Sequence, residues 1–383
     1  MKYSITCLTP TLVGDGQKLS PIDYMVWKDH VNVLDQRRIF KLLARGPRLD
    51  SYLSQLKKAD RLDFASWGGF AQNFAGRRIP FEHPSLTAHW QKLPPELLFI
   101  PTFAAAAGGS YLPATAVKGA LRTAALFKRW SHDTMQNAAK RGETERSMRR
   151  ISTAEETGAL GASGSDRMRF LAAADSNPVG ADSFKVYLLR AATMQAKGGG
   201  KFELGWKQSP RGTVDGRRPD DSTPSFAEMA APGTRFEGIW QERAFLKQPD
   251  IVRALHWKQP DVATVFEAAN DFAAAQLKSH REYGESLGLT AVAHAVAALE
   301  SRLDEVRRER SGCLLCIGYG GGFLSKASYI ETGDETYRQI LRALPFFSRA
   351  IQSGLPFPKT RRIVFLGNQP GTLPGWVELR VSE

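Results

Sequence analysis

The 383-residue sequence holds only three cysteines, Cys7, Cys313 and Cys316, an odd and small number that argues against a disulfide framework. Long hydrophobic runs are missing too. The most apolar stretch, residues 97–107, is short and broken by Pro101, and the opening MKYSITCLTP has no signal core, so a cytoplasmic chain without a membrane partner is expected. The seven histidines, His30, His83, His89, His132, His256, His280 and His294, show no metal-ligand spacing, and His132-Asp133 is one dipeptide without companions. There is no Gly-x-Ser-x-Gly elbow. These absences leave no metal, no cofactor and no assigned catalytic set.

Positive charge is plentiful. Lys and Arg number 52 against 39 acids, a net charge of +13 that favours a polyanionic partner, while 42% apolar residues over this length suffice for two domains. The central stretch YLPATAVKGALRTAA, residues 111–125, reads as a lead-in running into an amphipathic helix. Pro113 stops the lead-in, Thr115 is placed to cap the helix, and Val117, Ala120, Leu121 and Ala124 form one apolar stripe. Lys118 and Arg122 stand one turn apart beside the free N–H groups of the first turn, a combination suited to phosphate. Gly119 costs the helix roughly 1 kcal/mol against alanine, which predicts close approach of another backbone there. On spacing alone, a surface helix with solvated cations remains the favoured alternative.

In chain order, Lys2 to Thr9 alternates like a strand and enters a Pro- and Gly-punctuated loop. Tyr24–Trp27 and Val31–Leu34 read as a hairpin, Asp35 as the cap of a helix beginning QRRIFKLL, and Leu49, Tyr52, Leu53 and Leu56 as the stripe of a second helix. Residues 130–169 are polar and charge-mixed, the pattern of an exposed insertion. Lys197–Asp221 is too Gly- and Arg-rich to build a core and predicts a mobile loop. Its strand-like flanks, Phe184–Leu189 and Arg235–Trp240, suggest a long hairpin. Two helical stripes follow, one through Val265, Phe266, Ala269 and Phe272, the other through Val292, Val296, Leu299 and Leu303. The arginines Arg302, Arg307, Arg308 and Arg310 beside the second stripe read as a solvated face. The final RRIVFLGNQPGTLPGWVELRV reads as two strands around a turn.

Residues 313–329, CLLCIGYGGGFLSKASY, read as a buried strand leading into glycines. A phosphate loop needs Gly-Lys-Ser/Thr, but Ser325 precedes Lys326 and Ala327 follows it. A dinucleotide fingerprint fails because Phe323 stands at its third glycine. Cys313 and Cys316 lie three apart in a strand and so face opposite sides, as core thiols would. What remains is Gly318, Tyr319, Gly320, Gly321, Gly322, Phe323, Ser325 and Lys326: flexible backbone N–H groups, aromatic edges and one cation, a set suited to single-stranded RNA.

Three stretches together resemble the RAMP superfamily, the RNA-binding subunits of type III CRISPR effector complexes. Tyr111, Leu112, Pro113, Val117, Lys118, Gly119 and Arg122 fit its signature, with Ala114, Thr115 and Ala116 replacing a Gly-Ser-Ser. Thr9, Pro10, Gly14, Asp15, Gly16, Ser20, Pro21, Asp23 and Tyr24 follow the course of the subunit that caps such complexes at the guide's 3′ end. Gly318, Gly320, Gly322, Phe323, Leu324, Ser325 and Lys326 resemble that subunit's Gly-rich loop. The resemblance implies an α+β fold of two RRM-like (ferredoxin-like) domains with helical insertions, divided as 1–231 and 232–383. Residues from about 130 to 225 would be partly mobile and include a thumb-like hairpin. It further implies a non-catalytic subunit of a type III-A (Csm) ribonucleoprotein that binds crRNA and target RNA through Thr115, Lys118, Gly119, Arg122 and the glycine loop. Its other partners would be a backbone RAMP subunit and a small helical subunit. An endoribonuclease of the same superfamily stays open, either processing guides or cutting target RNA with Asp23, since Ile22, Asp23 and Val26 match the cutting subunits' spacing.

Overall fold

Period-two burial along Lys2–Cys7 makes the first strand, β1, with Tyr3, Ile5 and Cys7 inward. The computed structural model describes the chain except residues 45, 47, 59–72, 131, 145–147, 163, 200, 209–214, 257–260 and 383, and gives backbone alone at 132–133, 141–144 and 148–153. The hairpin of β2 (Tyr24–Trp27) and β3 (His30–Leu34) pairs Tyr24 with Val33 and turns with Lys28 at a φ of 53°. Asp35 caps α1 (Gln36–Leu43), its Oδ1 accepting from the Arg38 N–H at 3.0 Å. Next, α2 (Leu49–Lys58) buries Tyr52, and β4 (Ala75–Pro80) adds to β3 as a third strand.

The middle of the chain is more ordered than its composition predicts. After α3 (Ala114–Phe127) come α4 (His132–Thr144) and α5 (Met148–Leu160), and Met135, Ala138 and Leu160 are buried, so the polar stretch is not simply an exposed insertion. Past β5 (Leu171–Ala173), the fifteen-residue β6 (Phe184–Gly198) turns into β7 (Lys201–Lys207). Much of the predicted mobile loop is therefore strand: the end of β6, all of β7 and a short piece at Asp215–Gly216. One aromatic residue explains much of this: Trp206 is 1% exposed and meets Phe365 edge-on, with ring centroids 5.6 Å apart. Burying such a side chain contributes roughly 1.5–3 kcal/mol, enough to hold a short polar strand in place. The short β8 (Asp215–Gly216) follows, and the carbonyls of Pro219 and Ser222 accept from the buried Arg190, each at 2.7 Å. The part of that loop at 209–214 lies outside the described residues. The two flanks do not pair with each other. Phe184–Leu189 pairs with β9 (Ser225–Ala230), while β10 (Arg235–Glu242) joins β1 and β5.

The main elements that follow are α6 (Val262–Ser286), α7 (Thr290–Glu309), β11 (Gly312–Cys316), α8 (Glu335–Ala343), α9 (Pro345–Gln352), β12 (Thr360–Leu366), β13 (Gln369–Thr372) and β14 (Trp376–Ser382). One antiparallel sheet has the order β11-β14-β1-β10-β5; the other runs β8-β7-β6-β12-β13, with β9 also on β6. The closing stretch thus holds three strands rather than two, and they divide between the sheets at the Leu373–Gly375 corner. Both sheets draw strands from both sides of residue 231. The architecture is mixed α+β.

Two cores result. The first packs β1, β11 and β14 on α3 and the first half of α6; the second packs β6 and β12 on the rest of α6 and on α7. Cys313 lies in the first and Cys316 in the second, so the two thiols do face opposite sides, and burial pushes that of Cys316 up to about 12. The arginines of α7 are not merely solvated. Arg302 grips the 6%-exposed carboxylate of Glu378 through Nε and Nη2 at 2.7 and 3.0 Å, and Arg307 reaches Asp271 at 3.0 Å. Among the described residues, no helix is long and apolar enough to cross a membrane, and no cluster of His, Cys, Asp or Glu forms a metal site.

Candidate functional site

Helix α3 begins at Ala114 with Pro113 as its cap residue, so Thr115 lies inside the helix and does not cap it. The cap comes from a distant loop instead, because the Ala114 N–H donates to Asp175 Oδ1 at 2.8 Å. Lys118 and Arg122 turn inward. The Lys118 Nζ donates to the Leu171 carbonyl at 3.0 Å, and burial, aided by Arg243, lowers its pKa. Arg122 is bonded to Asp166, with Glu156 at 3.4 Å; burial pulls its pKa down, but the two carboxylates outweigh that and raise it. The exposed side of the helix is instead Thr115 and Gly119, one turn apart. Among the described residues no other backbone approaches Gly119: a Cβ built there meets nothing within 4 Å. The close approach predicted from its helix cost is absent within this part of the chain.

The glycine loop leaves β11 with Gly318, Gly320 and Gly322 at φ of 74°, 96° and 69°, a left-handed alternation that side chains rarely adopt. Gly318 is further required because a Cβ there would overlap the Leu12 carbonyl oxygen. Among the described residues, the N–H groups of Gly320, Gly321 and Gly322 donate to no backbone carbonyl. Residues 323–327 make a single turn, with the Lys326 and Ala327 N–H groups both donating to the Phe323 carbonyl. Lys326 is exposed, and among the described residues its Nζ has no ion pair. Ser325 is kept within the turn, donating to the Gly322 carbonyl at 3.2 Å. The ring of Phe323 is committed to a small cluster, edge-on to Phe347 and Phe357 at 5.3 and 4.8 Å.

Residues 9–13 bring these pieces together. Tyr319 donates from its N–H to the Leu12 carbonyl at 2.7 Å, while the Ala104 N–H donates to Val13 at 2.9 Å and Tyr111 to Ala104 at 3.0 Å. Thr9 Oγ1 accepts from the Trp376 N–H at 3.0 Å, and the Gly375 N–H reaches the Pro10 carbonyl at 3.0 Å. The glycine loop and the lead-in to α3 are thus sewn to the same short segment. Ala120 and Ser325 also line one small cleft. Asp23 lies in the same opening loop region, where its Oδ2 accepts from the Ser20 N–H at 2.7 Å and the Ser20 hydroxyl at 2.5 Å.

Two cations that motif reading missed stand beside the loop. Arg362 lies over the Tyr319 ring, 4.4 Å from its centroid, and Arg361 lies over Tyr283 at 4.6 Å. The only sequence signal was the RR pair opening an apolar strand, and its distance of some forty residues from the glycines hid the connection.

The chain thus combines an α+β fold, in which both sheets take strands from both halves of the sequence, with a glycine loop held against the opening segment. The family model of the RAMP superfamily matches residues 4–272, more than half of the chain, and the chain belongs to that superfamily. Its fold is similar to that of a chain in the cryo-EM structure of a Csm–crRNA–target RNA ternary complex of a type III-A CRISPR-Cas system. There the TM-score is 0.64 at 21% identity, covering 99% of this chain and 100% of that one. It is also similar to the crystal structure of T. onnurineus Csm5, with a TM-score of 0.64 at 19% identity, covering 98% and 99%. No curated protein matches the sequence.

Proposed function

We propose that this chain is a structural RNA-binding subunit of a type III-A CRISPR ribonucleoprotein, capping the backbone filament and holding the 3′ portion of the crRNA. Its partners in that reading are crRNA, target RNA, a backbone RAMP subunit and a small helical subunit, and it supports crRNA maturation and antiviral defence. The observation that carries the reading is that two motif-bearing stretches are tied to Leu12–Val13 of the third, 9–24: 318–326 directly through Tyr319, and 111–122 through Ala104. Likeness along the whole chain to a member of a Csm–crRNA–target RNA complex and to Csm5 supports it.

In this reading the two sheets with their helices are two RRM-like units, each a unit in space rather than a consecutive stretch of chain. The RNA surface is the Gly318–Lys326 loop together with the outward face of α3 at Thr115 and Gly119. Lys118 and Arg122 act one step back, fixing that helix against Leu171 and Asp166. Asp23 is engaged by Ser20, which supports a turn-forming role over scission. The test is co-purification of the tagged chain from cells carrying a type III-A locus, with sequencing of the bound RNA. Recovery of the complex with guides of defined 3′ ends, whose lengths become ragged when the chain is deleted, is expected. Filaments of the chain alone on RNA, or defined cleavage of precursor guide by the purified chain, would overturn it.

A further inference from the structure

Behind the glycine loop lies a small pocket walled by His280, Gly321, Thr360, Arg361, Arg362 and Trp376. Among the described residues no carboxylate lines it. Arg361 is 7% exposed, yet its hydrogen bonds all run to neutral acceptors: Nε to His280 Nδ1 at 3.1 Å, Nη1 to the carbonyls of Pro358 and Thr360, Nη2 to Ser279 Oγ at 3.4 Å. A guanidinium this deep ordinarily faces a carboxylate, because an uncompensated buried cation is strongly unfavourable. His280 accepts at Nδ1; burial first and Arg361 second push its pKa well down, so the ring is neutral and its proton sits on Nε2. Trp376 is fully buried, and among the described residues its Nε1–H has no acceptor. The N–H groups of Gly320, Gly321 and Gly322 are likewise unclaimed by backbone carbonyls there. The wall therefore concentrates donors and positive charge with no negative partner among the described residues.

We propose that this pocket receives one phosphate group of the bound RNA, with Arg361 and Arg362 supplying the charge and the loop N–H groups and Trp376 Nε1–H the hydrogen bonds. The inference rests on the RNA-binding reading. A tetrahedral monoester or diester accepts from several directions at once, which suits donors arriving from a loop and two strands. The phosphate is either a 3′-terminal monoester or an internal diester, and both present the same oxygens.

The test uses the full chain and fluorescent 12-nucleotide RNAs bearing one neutral methylphosphonate at each position in turn, in versions ending in a 3′-hydroxyl or a 3′-phosphate. Arg362→Gln removes a half-exposed charge, and Trp376→Phe removes one N–H while keeping bulk in the core; melting checks that both fold. Each is expected to weaken unmodified RNA by about tenfold, the loss of one charge-assisted hydrogen bond. At one position the methylphosphonate should weaken wild type by a similar factor, with Arg362→Gln adding nothing further there. Coupling at an internal position assigns a diester; tighter binding of the 3′-phosphate RNA that disappears in the variant assigns the terminal group. Wild-type affinity in both folded variants, or additive losses at every position, would overturn the pocket while leaving RNA binding intact. A wild-type chain that binds none of these RNAs would overturn both readings.

Discussion

Helix α3 and the glycine loop both carry cations at motif positions, and the two regions spend them differently. Lys118 and Arg122 are consumed by the Leu171 carbonyl and by Asp166, so their charge holds the protein together. Around the loop, and among the described residues, Lys326 has no ion pair, Arg362 has only the Tyr319 ring, and Arg361 has only neutral acceptors. A formal charge of +13 counts all of them alike. The second set is more readily available to a polyanion, because Arg122 must first give up its carboxylate and Lys118 is drawn inward onto its carbonyl. Lys118 and Arg122 occupy the signature positions without being the exposed groups.

The largest expected effect tests the unspent set. Lys326→Ala combined with Arg362→Ala should leave the melting temperature near wild type, cut RNA affinity severely, and lower the salt slope by about 0.7 for each phosphate no longer neutralised on single-stranded RNA. An unchanged slope would remove the distinction between the two regions. The reverse experiment follows. Arg122→Ala leaves Asp166, 19% exposed at its side chain, without its partner and should cost roughly 1–2 kcal/mol in denaturant unfolding while the salt slope stays at its wild-type value. If the slope falls and stability does not, α3 touches phosphate directly after all.

Much of this architecture was legible in the residues, and the exceptions have physical causes. The hairpin at Tyr24–Leu34, the Asp35 cap and the opposite-facing cysteines each follow from local pattern, and local pattern is what sequence carries best. Thr115 misled because a distant aspartate, Asp175, supplies the cap that a local hydroxyl was expected to give. Lys197–Asp221 misled because one residue, Trp206, anchors a strand that average composition forbids. The flanking strands of that tract were recognisable as strands, but their pairing partners lie from about forty to more than two hundred residues away in the chain. Of the site, the loop's glycines were readable from their run, whereas the commitment of each cation was not, since partners such as Asp166 and Leu171 lie far from Lys118 and Arg122 in sequence.

A pH experiment separates the buried pocket from the surface cations. His280 stays neutral in the folded chain because burial and Arg361 depress its pKa, whereas in the unfolded chain it titrates near the ordinary value of about 6.5. Below that pH the unfolded state binds a proton that the native state does not, so this group's contribution to stability falls as pH drops from about 6.5 and is level above it. Comparing melting at pH 7.5 and 5.5, wild type should lose more than His280→Gln, whose amide oxygen still accepts from Arg361 but cannot titrate. Equal losses would show that His280 is protonated in the native chain and that the pocket already contains a counter-charge.

The smallest effect bears most directly on what α3 offers to RNA. Gly119 sits mid-helix, exposed, and among the described residues a methyl group in place of its hydrogen would meet nothing within 4 Å, so they give no reason for glycine there. Glycine nevertheless costs the helix about 1 kcal/mol against alanine, and Gly119→Ala should raise the melting temperature of the free chain by roughly 2 °C. Gly158 in α5 supplies the control, since it too is exposed and uncrowded. Gly158→Ala should stabilise to a similar degree and leave RNA binding alone. If the outward face of α3 at Thr115 and Gly119 receives the RNA backbone, the added methyl at 119 must occupy space that the ligand needs, and affinity should fall by about fivefold or more, a modest overpacking penalty. The signature is opposition: one substitution that strengthens the free protein and weakens the complex, beside a second that only strengthens. Stabilisation at both positions with unchanged RNA affinity would mean that the glycine at 119 serves neither the fold nor the ligand, and the RNA surface would then end at the glycine loop.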